Sequence, residues 1–122
     1  MSRIVWFEIP ADDPARAAAF YEKAFGWKVQ KWEGPMDYWM VTTGPNGEPG
    51  INGGMMRRPH PGAVTCNTIE VKSLEGSIAS VEKAGGKVVV PKMPIQGIGW
   101  CAYCVDPEGN QFGLMQPDSG VK

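Results

Sequence analysis

Two glutamates at matching places in the chain are the residues best suited to chemistry. Glu8 stands in the string Phe-Glu-Ile at residues 7–9, and Glu70 in Ile-Glu-Val at residues 69–71. Two carboxylates that face one site can share a metal ion, or serve as general acid and general base. They can equally be structural and accept a hydrogen bond from the backbone or from an arginine. The sequence leaves both roles open for Glu8 and Glu70.

The other reactive side chains are three cysteines and one histidine. Cys101 and Cys104 have the spacing of a zinc or redox pair, but they lie in an apolar run typical of a strand. Because side chains alternate along a strand, these two thiols should point to opposite faces and cannot hold one ion. With Cys66 the count is odd, which does not suggest a disulfide framework. We predict buried, inert thiols, and a solvated loop position for His60 between its two prolines.

The segments that carry the two glutamates belong to an internal repeat. Each is followed by a helical pattern that ends in Lys-Ala and a glycine, at residues 23–26 and 83–86. Asp13 with Pro14, and Ser73, are suitable N-terminal caps for these helices. The predicted strands lie at residues 4–9, 27–32, 38–43 and 53–57, and at 65–71, 87–91, 99–105 and 111–116. Each half therefore reads β-α-β-β-β.

Alternation along the first strand of each half separates two faces. Phe7 and Ile9 would meet the helix, whereas Trp6 and Glu8 would lie on the opposite face, and the second half repeats this pattern around Glu70. Two such modules set side by side would form a half-open, curved mixed sheet around a central pocket. The predicted fold is α+β, a single domain over residues 1–122 with modules of about 1–60 and 61–122.

Four motifs follow one another in a characteristic order. They are Phe-Glu-Ile-Pro-Ala-Asp-Asp-Pro at residues 7–14, Phe-Gly-Trp at 25–27, Ala-Gly-Gly-Lys-Val at 84–88, and Asp-Pro-Glu-Gly-Asn-Gln-Phe-Gly-Leu at 106–114. Their order and spacing resemble the vicinal-oxygen-chelate superfamily, which includes glyoxalase I, bleomycin-resistance proteins and extradiol dioxygenases. The resemblance covers nearly the whole chain and implies a pair of βαβββ modules.

In the metal-dependent relatives, each module supplies one ligand from its first strand and one from its last, and the ion acts as a Lewis acid on the substrate. Matched position by position, two of these ligands fall at Trp6 and Gly113, which cannot bind a cation. The last strand of the first half offers the thioethers of Met55 and Met56, which bind hard ions poorly. No histidine stands near Thr68. The resemblance therefore implies a member that lacks the usual ligands, and we predict no metal and no cofactor.

The remaining candidates for a ligand site are mostly tryptophans and methionines. Such residues line apolar pockets that have few polar groups. No catalytic residue is assigned. The predicted ligand pocket consists of Trp6, Glu8, Trp39, Met55, Thr68, Glu70, Trp100, Gly113 and Met115.

Charge and hydropathy argue against a nucleic-acid-binding protein and against a membrane-spanning one. A net charge of −1 gives no electrostatic footprint for nucleic acid, and no apolar run approaches the ~20 residues of a membrane span. Because the N-terminal residues lack the apolar region of a signal peptide, we expect a cytoplasmic protein with a small molecule as partner. A homodimer stays open.

The predicted function is that of a glyoxalase/bleomycin-resistance-like protein. It would bind a small, partly aromatic molecule in the inter-module pocket without a metal. The alternative is a metal-dependent lyase, isomerase or dioxygenase of the same superfamily, so enzymatic activity is left open; if the chain is an enzyme, the resemblance implies a glyoxalase-like lyase or a dioxygenase. The residues do not identify the ligand.

Overall fold

The computed structural model describes residues 2–122, which form two helices and eight strands. The first module consists of β1 (Arg3–Ala11), α1 (Pro14–Phe25), β2 (Lys28–Lys31), β3 (Tyr38–Thr42) and β4 (Gly53–Arg57). The second consists of β5 (Cys66–Glu70), α2 (Leu74–Lys83), β6 (Lys87–Ile95), β7 (Gly99–Val105) and β8 (Gln111–Pro117). The predicted α+β fold with two βαβββ modules is confirmed.

The two modules have the same strand connectivity. In the first, the order is β2-β3-β4-β1, with β1 parallel to β4 and the other pairs antiparallel. In the second, the order is β5-β8-β7-β6, with β5 parallel to β8 and the other pairs antiparallel. Both sheets are mixed and open, since β2 and β6 each pair on one side only among the described strands. Residues cluster into two compact units, Trp6–Thr65 and Cys66–Lys122 with residues 2–5.

Both helices begin at the predicted caps. The Asp13 side chain accepts a hydrogen bond from the backbone N–H of Arg16, at 3.2 Å, with Pro14 in the first helical position. The Ser73 hydroxyl accepts from the backbone N–H of Gly76 at 3.1 Å. These bonds satisfy amides that have no partner within the helix. α1 ends at Gly26, whose φ of 73° suits glycine.

Each helix covers one face of its own sheet. In the first module, Val41 and Met55 are fully buried, and Phe7 and Ile9 pack against them under α1. In the second module, the core under α2 contains Leu74, Ala102, Cys104 and Leu114, with Phe112 packed against it. The predicted positions of Phe7, Ile9, Phe112 and Leu114 on the helix side are therefore confirmed. We call this side of each sheet the helix-proximal face and the opposite side the helix-distal face.

The three thiols are buried and form no disulfide, as predicted. Cys104 belongs to the helix-proximal core, whereas Cys101 pairs with Met115 on the helix-distal face. The two thiols therefore point away from each other. Burial, with a smaller contribution from the charge of Glu82, raises the pKa of Cys104 above its ordinary value, so this thiol stays protonated at neutral pH.

Of the strands that are longer than predicted, β6 exceeds its predicted length the most. β6 continues through two prolines to Ile95, where the sequence predicted an end at residue 91. The prolines are tolerated because β6 is the edge of its sheet, where a missing N–H removes no obligatory hydrogen bond. The pairing with β7 is irregular between Val88 and Met93, before it resumes at Met93 with Cys101. Neither described helix is long and apolar enough to cross a membrane.

Candidate functional site

The helix-distal face of the first module carries two of the predicted site residues. Glu8 pairs with Gly54, and Gly54 pairs with Met40 on the next strand. Paired residues on neighbouring strands share a face, so Glu8 lies opposite the core side, and Trp6, two positions earlier on β1, shares its face. The predicted separation of Trp6 and Glu8 from Phe7 and Ile9 is thereby confirmed.

A chain of hydrogen bonds joins Trp6 to Glu8 through Tyr38. The Trp6 indole Nε1–H donates to the Tyr38 hydroxyl at 2.9 Å, and that hydroxyl donates to Oε2 of Glu8 at 2.7 Å. The indole can only donate, so the hydroxyl must accept from it and use its own proton toward the carboxylate. Glu8 is only 7% exposed. The chain thus fixes a largely buried carboxylate as an acceptor at its end.

Gly54 makes room for the Tyr38 ring. A Cβ atom built on Gly54 would lie within 2.5 Å of three Tyr38 atoms. Its neighbour Gly53 makes room for the Phe7 ring on the other face of β4, where an added Cβ would lie 2.5 Å from that ring. The Gly-Gly pair therefore lets an aromatic ring approach the backbone on each side of β4.

Trp32 extends this aromatic surface. Its ring meets the Tyr38 ring edge to face, with centroids 6.2 Å apart and an interplanar angle of 79°. This is a favourable geometry for an aromatic pair. Trp6, Trp32 and Tyr38 are each partly exposed. Together with Glu8 we call them the aromatic–carboxylate cluster.

The helix-distal face of the second module has a different composition. Thr68 pairs with Gly113, and Gly113 with Tyr103. A Cβ on Gly113 would lie 3.1 Å from the Thr68 hydroxyl and 3.5 Å from the Tyr103 ring, so the glycine is closely covered. Met115 is partly buried on the same face, and its strand partner Glu70 is exposed.

The structure places Trp39 and Met55 on the helix-proximal side. Trp39 pairs with Met55, and Met55 with Ile9, which packs under α1. Lys31 and Arg57 flank the Trp39 ring, at 5.5 Å and 5.6 Å from its centroid, and such cation–π contacts hold a partly exposed indole in place. Met55 is fully buried. Met55 therefore belongs to the core of the first module, and Trp39 lies at the edge of that core.

Trp100 also lies on the helix-proximal side of its module. It packs against the core under α2. The ammonium of Lys92 lies 4.7 Å from its ring centroid, and its indole N–H donates to Asp118 at 3.4 Å. Six of the nine predicted site residues therefore lie on a helix-distal face, away from the cores. They are Trp6 and Glu8 in the first module, and Thr68, Glu70, Gly113 and Met115 in the second.

Tyr38 and Trp32 were not among the predicted site residues. Tyr38 opens β3, and nothing within that strand indicates which of its two apolar faces meets the core. The signal that could have found it is the Gly-Gly pair at residues 53–54. Two successive glycines in a strand indicate close approach of side chains to the backbone, and Tyr38 is one of the two aromatic residues that fill that space.

The described residues do not fit the metal site of the superfamily. The indole at Trp6 is a donor and is bonded to Tyr38. Gly113 has no side chain, and the close approach of Thr68 and Tyr103 leaves little space for a carboxylate at this position. Within residues 2–122, no three histidine, cysteine, aspartate or glutamate side chains lie close enough together to hold an ion. His60 is exposed in a turn, as predicted.

Comparison with known proteins supports the superfamily. Residues 3–44 match the family model described as bleomycin resistance protein-like N-terminal. Proteins of Mycobacterium tuberculosis and Mycobacterium bovis named "Putative glyoxylase CFP32" are 29% identical over 93% of this chain. The chain spans only 44% of the length of these relatives.

Solved structures share the fold across almost the entire chain. A hypothetical protein from Bacillus halodurans superposes with a TM-score of 0.71 at 13% identity, covering 99% of this chain and 98% of its own. Methylmalonyl-CoA epimerase from Streptomyces coelicolor, in complex with 2-nitronate-propionyl-CoA, gives 0.69 at 12% identity, covering 94% and 96%. At such identities the likeness concerns the fold alone. The N-terminal match, the mycobacterial relatives and the shared fold together support the predicted resemblance to the vicinal-oxygen-chelate superfamily.

Proposed function

We propose that this chain is a glyoxalase/bleomycin-resistance-like protein that binds a small, partly aromatic molecule without a metal ion. The observation that carries the proposal is the position of Trp6. An indole stands where metal-dependent relatives have a ligand, and its N–H is bonded to Tyr38, which is bonded in turn to Glu8. A site of this composition can stack on a ring and orient a polar group.

Each module offers candidate contacts on its own helix-distal face. In the first module they are Trp6, Tyr38 and Glu8, which offer ring faces and one acceptor. In the second they are Thr68, Gly113 and Met115, which offer a small, mostly apolar surface with one hydroxyl. Apolar surface with a few fixed polar groups is the usual composition of a small-molecule site. The epimerase with the same fold binds a coenzyme A derivative, so this scaffold holds a small molecule in at least one relative.

A thermal-shift screen against aromatic metabolites tests the proposal. A ligand at 100 times its Kd adds about 2.7 kcal/mol to the free energy of unfolding, which is readily seen in a chain of this size. We expect at least one aromatic compound to raise Tm, with the same shift in the presence of EDTA. A shift that EDTA abolishes would contradict metal-free binding.

Trp6→Ala separates binding from packing. Stacking contributes about 0.5–1.5 kcal/mol beyond the burial of area, so we expect affinity to fall at least severalfold. Trp27→Ala is the matched control, because Trp27 stacks on Tyr21 under α1, at 5.0 Å and 7°. Both variants should lose stability, but only Trp6→Ala should lose affinity. Equal affinity in the two variants would show that Trp6 only packs.

The alternative function is a metal-dependent enzyme of the same superfamily. It is supported by the glyoxylase name of the mycobacterial relatives, at 29% identity. Stoichiometric zinc, nickel, manganese or iron in the purified protein, together with a fall in Tm on adding EDTA, would favour this alternative. A structural metal contributes directly to folding free energy, so melting curves that coincide with and without EDTA would favour metal-free binding.

A further inference from the structure

Two asparagines in the loop between β3 and β4, residues 43–52, are each followed by a glycine. Asn46 precedes Gly47, and Asn52 precedes Gly53. Asparagine is a thermolabile residue, and a following glycine favours the loss of its amide. The backbone nitrogen of the glycine can reach the side-chain carbonyl carbon, because glycine has no Cβ to hinder the approach and a wide range of backbone conformations. The local sequence is the same at both pairs, whereas their surroundings differ.

The first pair lies in the exposed part of the loop. Asn46 and Gly47 are both exposed, and they form the middle of a turn in which the backbone N–H of Glu48 donates to the carbonyl of Pro45 at 3.3 Å. Gly47 has a φ of 90°, and a Cβ built on it would meet no atom within 4 Å. The amide of Asn46 and the nitrogen of Gly47 therefore have room to approach each other, as is usual in a surface loop.

The second pair is held at the start of β4. The side-chain oxygen of Asn52 accepts from the backbone N–H of Thr43 at 2.9 Å and from the Thr43 hydroxyl at 3.3 Å. Gly53 is buried and pairs with Phe7 on one side and with Val41 on the other. Attack by the Gly53 nitrogen on this amide would require the two hydrogen bonds to break and the strand to open locally.

We propose that Asn46 is a site of spontaneous deamidation and that the fold protects Asn52 from the same reaction. The Gly47 nitrogen loses its proton and forms a bond to the side-chain carbonyl carbon of Asn46. The C–N bond of the amide then breaks, and the displaced NH2 group takes up a proton and leaves as ammonia. Water opens the resulting cyclic imide at either carbonyl, which gives aspartate or isoaspartate. The reaction involves no ligand, so the inference goes beyond the proposed function.

The modification changes both the charge and the backbone of the loop. A carboxylate replaces a neutral amide near Glu48, and isoaspartate adds a carbon atom to the main chain. Because exposed charges interact weakly, the sheet and the helices should be unaffected. The folded chain should therefore age into forms that differ in this loop and carry more negative charge.

Peptide mapping of the aged full chain tests the proposal. The folded protein is kept in mildly alkaline buffer, since the attacking nitrogen must be deprotonated, and mass spectrometry of a digest follows each asparagine with time. We expect Asn46 to react about 10- to 100-fold faster than Asn52, the factor that corresponds to two hydrogen bonds. In denaturant the two rates should approach each other. Equal rates in the folded chain, or an undiminished difference in the unfolded chain, would overturn the proposal.

Asn46→Gln is the matched variant. Its longer side chain would have to close a larger and less favourable ring, so the acidic form that appears first in the wild type should be lost. Asn52 should keep its slow rate. Ion-exchange chromatography of the aged protein measures this. The same acidic form, appearing at the same rate in the variant, would place the modification elsewhere and overturn the assignment. If the variant does not fold, the comparison of Asn46 with Asn52 in the wild-type chain still decides.

Discussion

Glu8 and Glu70 both lie on the helix-distal face of the first strand of their module, yet Glu8 is buried and Glu70 is exposed. The sequence repeat matched these two residues, but the structure shows that the match is wrong by two positions. Counted back from the helix caps Asp13 and Ser73, Glu8 corresponds to Thr68, which is also buried, and Glu70 corresponds to Pro10. Glu8 pairs with Gly54, which leaves space for the Tyr38 ring that covers the carboxylate, whereas Glu70 pairs with Met115.

The ring that covers Glu8 comes from a position that carries a cysteine in the second module. Tyr38 pairs with Met56 on β4, whereas Cys101 pairs with Met115 at the matching place on β8. The repeat thus keeps its strand pairing, while the side chain at this one position decides whether a tyrosine hydroxyl reaches the first strand.

Gly54→Val should break this difference most strongly. Its side chain would occupy the space of the Tyr38 ring and expel it, with loss of both hydrogen bonds of the hydroxyl. Overpacking of this kind costs about 1–3 kcal/mol. We expect a value near the upper end in urea unfolding. Gly44→Val, where an added Cβ would find its nearest neighbour at 3.9 Å, is the control and should change stability by less than about 0.5 kcal/mol.

Tyr38→Phe should have the next largest effect. The ring stays, but Trp6 loses its acceptor and Glu8 loses a donor. At about 0.5–1.5 kcal/mol for each hydrogen bond, the free energy of unfolding should fall by roughly 2 kcal/mol. Tyr21→Phe serves as the matched control, because Tyr21 contributes ring contacts within the aromatic cluster under α1. A loss of equal size in both variants would mean that the hydroxyl of Tyr38 has no special role.

Replacing each glutamate by glutamine tests the comparison directly. Glu8→Gln keeps an acceptor for Tyr38 but loses the charge that strengthens the bond, so a loss of about 1 kcal/mol is expected. Glu70→Gln alters an exposed side chain and should stay within about 0.5 kcal/mol of wild type. Chemical denaturation of both variants, in the same buffer, measures the difference. Equal effects would show that burial does not distinguish the two carboxylates.

The smallest effect should come from the turn before β8. The backbone and side-chain N–H groups of Asn110, with the backbone N–H of Glu108, hold the pKa of Asp106 below its ordinary value. A lowered pKa in the folded state gives stability that is present above the unfolded pKa of about 3.9 and is lost as pH falls through the folded value. Asp106→Asn should therefore make the free energy of unfolding fall less steeply as pH drops below about 4. The same pH dependence in the variant and the wild type, measured by unfolding at a series of pH values, would contradict this.

Local features of the sequence predicted most of the fold. The caps at Asp13 and Ser73 place the helices, and alternation along β1 separates Phe7 from Glu8, because these signals act between near neighbours in the chain. The prolines of β6 predict an end to that strand, because a strand's place at the edge of a sheet cannot be known before the strands are paired.

The site was less predictable, because it depends on register between strands. Trp39 and Met55 lie in strands that are apolar on both sides, and alternation within such a strand does not tell which face meets the core. Trp100 has the same ambiguity. The hydrogen bond from Tyr38 to Glu8 joins residues about thirty positions apart, and it follows from the pairing of three strands. Only the Gly-Gly pair in β4 indicated it.

The prolines of β6 have a further consequence for solubility. The outer side of an edge strand presents backbone groups to which another chain can add a strand, the first step of β-aggregation. β6 carries Pro91 and Pro94 and departs from regular pairing in its middle, so its outer side is a poor template for an incoming strand. The other edge, β2, has only four residues and a lysine at each end. Replacing both prolines, Pro91→Thr together with Pro94→Thr, would therefore make that edge more regular and favour self-association, with the fold of the chain otherwise little changed.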